Sequence, residues 1–297
     1  MDRFFKGSVM GSVAVSNQPP MNVKSLVKGL FDYPYGCLEQ TTSAAYPHLM
    51  LDEASAKAMG LTFPAAAERQ RFVEGAIARL AGMQKQGGGF GLWNSQSEHE
   101  FWLSAYVTGF LREAKDKGYA VPETLVQPTQ QWMIRELSNA QRRMPDWPAI
   151  TKERMAKKEP MDWRDWSAVQ DAHRRFAEMA YIGYELARDR KAPLSSLRTL
   201  HDQYRARALS PLPLIHLGLA LQLMGDEARA KQAFEDALTR PYGYWVDVRD
   251  AYWRYSWLGD YGSRTRDLAL SYALLVKHDV KLPRREQIGR ASCRERV

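Results

Sequence analysis

Residues 83–114, MQKQGGGFGLWNSQSEHEFWLSAYVTGFLREA, decide the architecture. They join two apolar stripes of helical period through a glycine turn. Upstream, Phe72, Ala76, Leu80 and Met83 recur three or four residues apart. Downstream, Trp102, Tyr106, Val107 and Phe110 do the same. The glycines between them, within residues 87–91, give up more backbone freedom in a helix than any other residue and so interrupt it. The stretch reads as two antiparallel helices with a tight connector.

The same alternation of helix and connector runs outward from this hairpin. Ala177, Tyr181, Tyr184 and Ala187 share a helical face, as do Leu217, Leu221 and Leu223, and then Leu268, Tyr272 and Leu275. Short connectors are expected at Lys117-Gly118, at Pro193 and at residues 211–213, 241–243 and 259–263. One stretch, 142–165, is long, proline-bearing and mixed in charge, and is expected to be a sizeable loop. The pattern predicts an all-α fold of antiparallel helical hairpins, closed into an α/α toroid or left open as a solenoid. Residues 219–238, LALQLMGDEARAKQAFEDAL, resemble one tetratricopeptide unit. A solenoid needs about three at a fixed period, so a lone packed hairpin is the better reading. Ahead of the helices, Val9, Val13 and Val15 alternate with small or polar residues, which suggests one strand before the break at Pro19 and Pro20.

Composition narrows the function. Across 297 residues the net charge is +8, but the bases are interleaved with acids, as with Glu68 and Glu74 among Arg69, Arg71 and Arg79. No basic stripe or motif for nucleic acid is present. No apolar run reaches the roughly 18 residues of a membrane span, so direct membrane insertion of this segment is not expected. The N-terminus lacks a signal-peptide pattern, so either the protein is cytosolic or its targeting signal lies on a longer parent. Residues 288–297, IGRASCRERV, read as a non-native tail. Without Arg290, Arg294, Arg296 and Glu295 the body carries 8 − 2 = +6, and Cys37 is its one cysteine, which excludes a disulfide framework. The expected division is 1–20 as strand and linker from a neighbouring domain, 21–287 as the helical domain, and 288–297 as the tail.

The chemistry concentrates in residues 33–43, YPYGCLEQTTS. Cys37 and Gln40 are three apart, which in a helical turn puts both side chains on one face. Pro34 ends any preceding helix, Gly36 permits a close backbone approach, and Cys37 opens the next helix. Free amides at a helix start favour a thiolate. Such a sulfur can attack the Gln40 side-chain carbonyl, expel ammonia and close a thioester. A thioester must be kept dry until it is used, and Tyr33 and Tyr35 are candidates to cover it. A bare C-x-x-Q is far more often a buried cysteine beside an ordinary glutamine. A cysteine hydrolase with His48 or His173 is a second alternative, although nothing local pairs either with Cys37.

YPYGCLEQTTS resembles the thioester signature of the alpha-2-macroglobulin and complement family, whose core reads G-C-G-E-Q, and Leu38 matches its bacterial branch. Residues 83–114 and 261–275, YGSRTRDLALSYALL, resemble later helices of the same domain. The resemblance implies an α/α toroid and a thioester between Cys37 and Gln40, with Gly36, Leu38 and Glu39 as the rest of the motif. It implies a broad-spectrum endopeptidase inhibitor of host defence, which acts once rather than as a turnover enzyme. A protease cleaves a bait segment of the parent, and one of its lysine amines attacks the Gln40 acyl carbon; small amines do the same. Glu39 takes either a proton-handling or a helix-capping role. The position where some complement relatives carry a histidine falls in 156–163, which has none, so amine acceptors are expected. No cofactor is implied beyond the internal bond. The implied location is the periplasm, in a larger membrane-anchored parent whose neighbouring domains are its partners. The family domain extends past Gln287 with further helices, so the toroid is expected to lack its closing hairpin.

Two other classes stay open. QKQGGGF resembles a turn of terpenoid cyclases, but their acidic D-x-D-D run is absent. Asp247, Asp250 and Asp260, with Trp245, Trp253 and Trp257 as a platform, suggest a glycan-active toroid enzyme. The lone repeat-like hairpin suggests an interaction scaffold. No metal site is expected: His99-Glu100 lacks its second histidine, and no Cys/His pair has ligand spacing.

Overall fold

The computed structural model describes residues 27, 29–30, 36–58, 60–144, 146–160, 162–239 and 264–282. The expected N-terminal strand, the tail, Tyr33, Tyr35 and the Asp247, Asp250 and Asp260 cluster with its tryptophans lie outside them. Among the described residues the regular structure is helical, joined by loops, and the β pairing is two isolated bridges, Gln84–Phe90 and Gly91–His99, in the glycine turn. The helices are α1 (Leu38–Met50), α2 (Glu53–Ala58), α3 (Ala66–Met83), α4 (Phe101–Asp116), α5 (Glu123–Ser138) and α6 (Ala140–Arg143). They continue as α7 (Ala149–Lys157), α8 (Trp163–Arg188), α9 (Leu194–Thr199), α10 (Pro211–Leu223), α11 (Glu227–Thr239) and α12 (Arg264–Lys277).

The centre of the molecule is α8, packed against α4, α5 and α10. Its start is fixed by a reciprocal cap. The Asp162 carboxylate accepts from the Arg164 and Asp165 amides at 2.8 and 3.1 Å, and Asp165 accepts from the Asp162 amide at 3.1 Å. From Phe176 to Ala187 every side chain is buried, including the expected face of Ala177, Tyr181, Tyr184 and Ala187. α10 is buried on all sides, which its sequence PLPLIHLGLALQL demands, and it is enclosed by α8, α11 and α12. The repeat-like hairpin is α10 with α11, where the Phe234 ring packs against Gly218; a Cβ there would stand 2.5 Å from it.

Three expectations are corrected. Residues 211–213 are not a connector but the first turn of α10, because proline at the start of a helix forfeits only an amide that has no partner there. The expected loop over 142–165 contains α7, which is flanked by Pro148 and a left-handed Lys158, and the beginning of α8. On α3 the core stripe is Val73, Ala76, Ile77, Leu80 and Met83, while Phe72 is 41% exposed. The helical period was right, but its phase is set by the β-branched pair rather than by the aromatic.

The glycine turn works by backbone geometry. Gly88 and Gly89 have φ of +88° and +71°, and a Cβ on either would meet Pro128 O at 2.2 Å or the Trp132 ring at 2.8 Å. Gln84 Nε2 donates to Leu125 O and to Thr129 Oγ1, both at 2.8 Å, and ties the end of α3 to α5. The turn is thereby held against α5.

Candidate functional site

Cys37 is the residue just before α1, in extended conformation with φ −69° and ψ 173°. The helix start is closed by a reciprocal box of a kind usually built by a hydroxyl and an acidic or amide side chain. The Cys37 sulfur takes the hydroxyl's place and faces the Gln40 backbone amide. In return the Cys37 amide donates to Gln40 Oε1 at 3.2 Å. The cap therefore folds the Gln40 side-chain carbonyl back over the residue that carries the thiol. Cys37 is 6% exposed and Gln40 is half-buried, so the pair lies at the edge of the core.

Three supports fix this turn. The Leu38 amide donates to Leu92 O at 2.8 Å, so the loop after the glycine turn satisfies one of the free amides of α1. Arg79 Nε donates to Gly36 O at 3.0 Å, and its guanidinium lies so close that a Cβ on Gly36 would stand 2.3 Å away. Glu39 Oε1 accepts from Ser43 Oγ at 2.6 Å, and Ser43 Oγ lies 3.1 Å from Tyr106 Oη. Burial pushes the Tyr106 hydroxyl up to about 12, with the Glu39 charge adding to it, so it is neutral at physiological pH. Tyr106 also stacks on Tyr46 of α1, with ring centroids 5.1 Å apart.

Gly36, Cys37, Leu38, Glu39 and Gln40 are thus brought together as the spacing suggests, with Leu38 fully buried as the anchor of the turn. Glu39 turns to Ser43 along its own helix. Arg79 carried no signal in the sequence, whereas Tyr106 belonged to a recognisable helix without any hint that it faced the motif. The hydrolase alternative is not assembled among the described residues. His48 is eleven residues along α1 from Cys37, about 16 Å of helical rise, and stacks on Phe72 at 4.6 Å. His173 Nδ1 accepts from the Leu209 amide at 3.0 Å deep in the core. No group of three His, Cys, Asp or Glu residues able to hold a metal occurs among the described residues. No described helix is long and apolar enough to cross a membrane.

The family model described as the A-macroglobulin TED domain matches residues 4–142. The alpha-2-macroglobulin of Escherichia coli strain K12 is 36% identical over 278 residues, which is 94% of this chain. That of Xylella fastidiosa strain Temecula1 is 35% identical over 276 residues, or 93%. The chain belongs to the alpha-2-macroglobulin family. It spans 15% of the length of either relative. The native Escherichia coli alpha-2-macroglobulin from domain MG7 to its C-terminus superposes with a TM-score of 0.77 at 34% identity, covering 95% of this chain and 39% of that one. Salmonella alpha-2-macroglobulin reacted with methylamine gives 0.76 at 32%, covering 94% and 16%. The all-α fold of this chain is that of the helical thioester domain in alpha-2-macroglobulins.

Proposed function

We propose that Cys37 and Gln40 form an internal thioester that acylates an attacking protease. The observation that carries this is the hydrogen bond from the Cys37 amide to Gln40 Oε1. It polarises the side-chain carbonyl that the sulfur must attack, and holds it on the sulfur's own residue. In closure a C–S bond forms at the Gln40 carbonyl carbon, the C–N bond breaks, and ammonia leaves with the thiol's proton. In trapping, a lysine amine forms a new C–N bond at that carbon, sulfur departs with the C–S electron pair as thiolate, and the amine proton passes to solvent.

Under this reading the chain is a single-use domain of a broad-spectrum protease trap and needs no cofactor. The trap fires after bait cleavage in a longer, membrane-anchored periplasmic parent that serves host defence. The described helical hairpins belong to an α/α toroid. Small amines consume the bond as well. Relatives support the reading by their chemistry: one solved structure is of Salmonella alpha-2-macroglobulin reacted with methylamine and another of the Escherichia coli protein activated by porcine elastase.

Intact mass tests it. A closed thioester lowers the mass by one ammonia, about 17 Da. Methylamine then releases one thiol and leaves its adduct on Gln40, whereas Cys37→Ala shows neither change. A wild-type protein of full mass with a permanently titratable Cys37 would sink the reading.

A further inference from the structure

Beside the Cys37–Gln40 pair, between α1 and α3, runs a groove of about 360 Å³. Gly36 and Thr41, the residues that flank the pair in sequence, lie at its wall. Its floor is small and apolar, formed by Ala44, Ala45, Gly75 and Ala76. A Cβ added to Gly75 meets nothing within 4 Å, so the groove is open at that point. Phe72 lines it as well, so apart from Thr41 and two arginines the lining is apolar. The Thr41 hydroxyl, in a residue 9% exposed, has no hydrogen-bond partner among the described residues. A buried hydroxyl left unmatched is costly and is a standing donor for whatever enters.

The charged side chains of the lining are Arg71 and Arg79. Neither has a carboxylate partner among the described residues. Glu74, on the same helix, is outside the lining and accepts from Gln70 Nε2 at 2.9 Å. The groove thus presents an apolar track beside Gly36 and Thr41, the neighbours of the acyl donor, and carries two cations with no carboxylate partner among the described residues.

We infer that this groove selects the acyl acceptor, favouring an amine whose own carbon chain bears a carboxylate. Such an amine lays its methylenes on Ala44, Ala45 and Ala76, sets its carboxylate on Arg71 and Arg79, and brings its nitrogen to the Gln40 acyl carbon. On a protein the equivalent acceptor is a lysine with an acidic neighbour. The same two cations disfavour a diamine, whose far end is an ammonium. The bond changes are those of trapping: a C–N bond forms, the C–S bond breaks, and the thiolate keeps the electron pair. The inference rests on the thioester reading and adds a choice among acceptors.

The test is the rate of thiol release from the intact protein by aminocaproate and by hexylamine, chains of equal length, each divided by the methylamine rate. Aminocaproate should exceed hexylamine by about fivefold, the factor supplied by an exposed ion pair of ~1 kcal/mol. Arg71→Gln should bring that ratio close to one, and Arg71→Lys should keep most of it. Gly75→Leu, which fills the open floor, should slow both long amines relative to methylamine. Equal wild-type rates, or a ratio unmoved by Arg71→Gln, overturn the groove while leaving the thioester intact. A wild-type protein from which methylamine frees no thiol refutes the thioester, and the groove's use with it.

Discussion

Leu38 and Leu92, 54 positions apart in the chain, are joined by a backbone hydrogen bond of 2.8 Å that fastens the glycine-turn loop to the first turn of α1. The turn after α3 is therefore part of the scaffold of the Cys37–Gln40 site, and its glycines act at a distance from the motif they serve.

Gly89→Ala should be felt at both places. At φ +71° with the Trp132 ring 2.8 Å from a new Cβ, alanine must strain the turn or move the ring. The expected loss of stability is about 1–3 kcal/mol, read from a denaturant midpoint. The Leu92 carbonyl should shift with the loop, so the fraction of molecules whose mass shows a closed thioester should fall too. A stable variant with full closure would separate the loop from the site.

Gly36→Ala and Arg79→Ala should cost less together than the sum of their separate costs. Both remove one contact, the bond from Arg79 Nε to Gly36 O, which as a charged donor's bond is worth about 1.5 kcal/mol before exposure discounts it. A double-mutant cycle on chemical denaturation measures this. Full additivity would mean that the guanidinium's seat on Gly36 does not matter.

Arg112→Ala should be among the most damaging single changes in the fold. Arg112 pairs with Glu185, whose side chain is 3% exposed, and reaches Asp189 at 2.8 Å. Burial alone would lower the pKa of Arg112, but the two carboxylates outweigh it and hold it above its ordinary value. Removing the guanidinium leaves Glu185 with Arg188 at 3.3 Å, so a loss of about 3 kcal/mol is expected. Arg112→Lys should recover little, since one ammonium cannot serve both carboxylates. Thermal melting of the two variants checks the order.

Stability should fall on acidification, and the sign follows from the carboxylates. Burial pushes Asp189 up, but the hydrogen bond and charge of Arg112, with Lys191 and Arg188, hold it below its ordinary value. Asp202 is held at about 2, by Arg229 first and then by His201. A folded pKa below the unfolded one, which is about 4 for aspartate, gives stability that is present above that value. It is lost as pH drops through the folded values. A melting series from about pH 5 to about pH 2 should show the decline, and Asp189→Asn should make it shallower.

The sequence carried the fold well where periodicity and capping agreed. The face of Ala177, Tyr181, Tyr184 and Ala187 and the glycine hairpin needed only local rules. It misled where one residue type has two uses. Pro211 and Pro213 break a helix from inside but start one from its end, and Phe72 belongs to an amphipathic pattern while facing outward. At the site, the Cys37–Gln40 pairing is a contact across three residues and could be read directly. Arg79, Leu92 and Tyr106 reach it from 42, 55 and 69 positions away, through tertiary packing that no local spacing encodes.

The box at the start of α1 has one more property. The atom that would carry a captured protease is the Gln40 carbonyl carbon, and the oxygen on that carbon is what closes the helix end. A secondary amide formed there keeps a carbonyl oxygen able to accept from the Cys37 amide. Discharge of the proposed thioester would therefore leave the first turn intact: a spent domain would end as a finished helix with its cargo hung from the finishing residue.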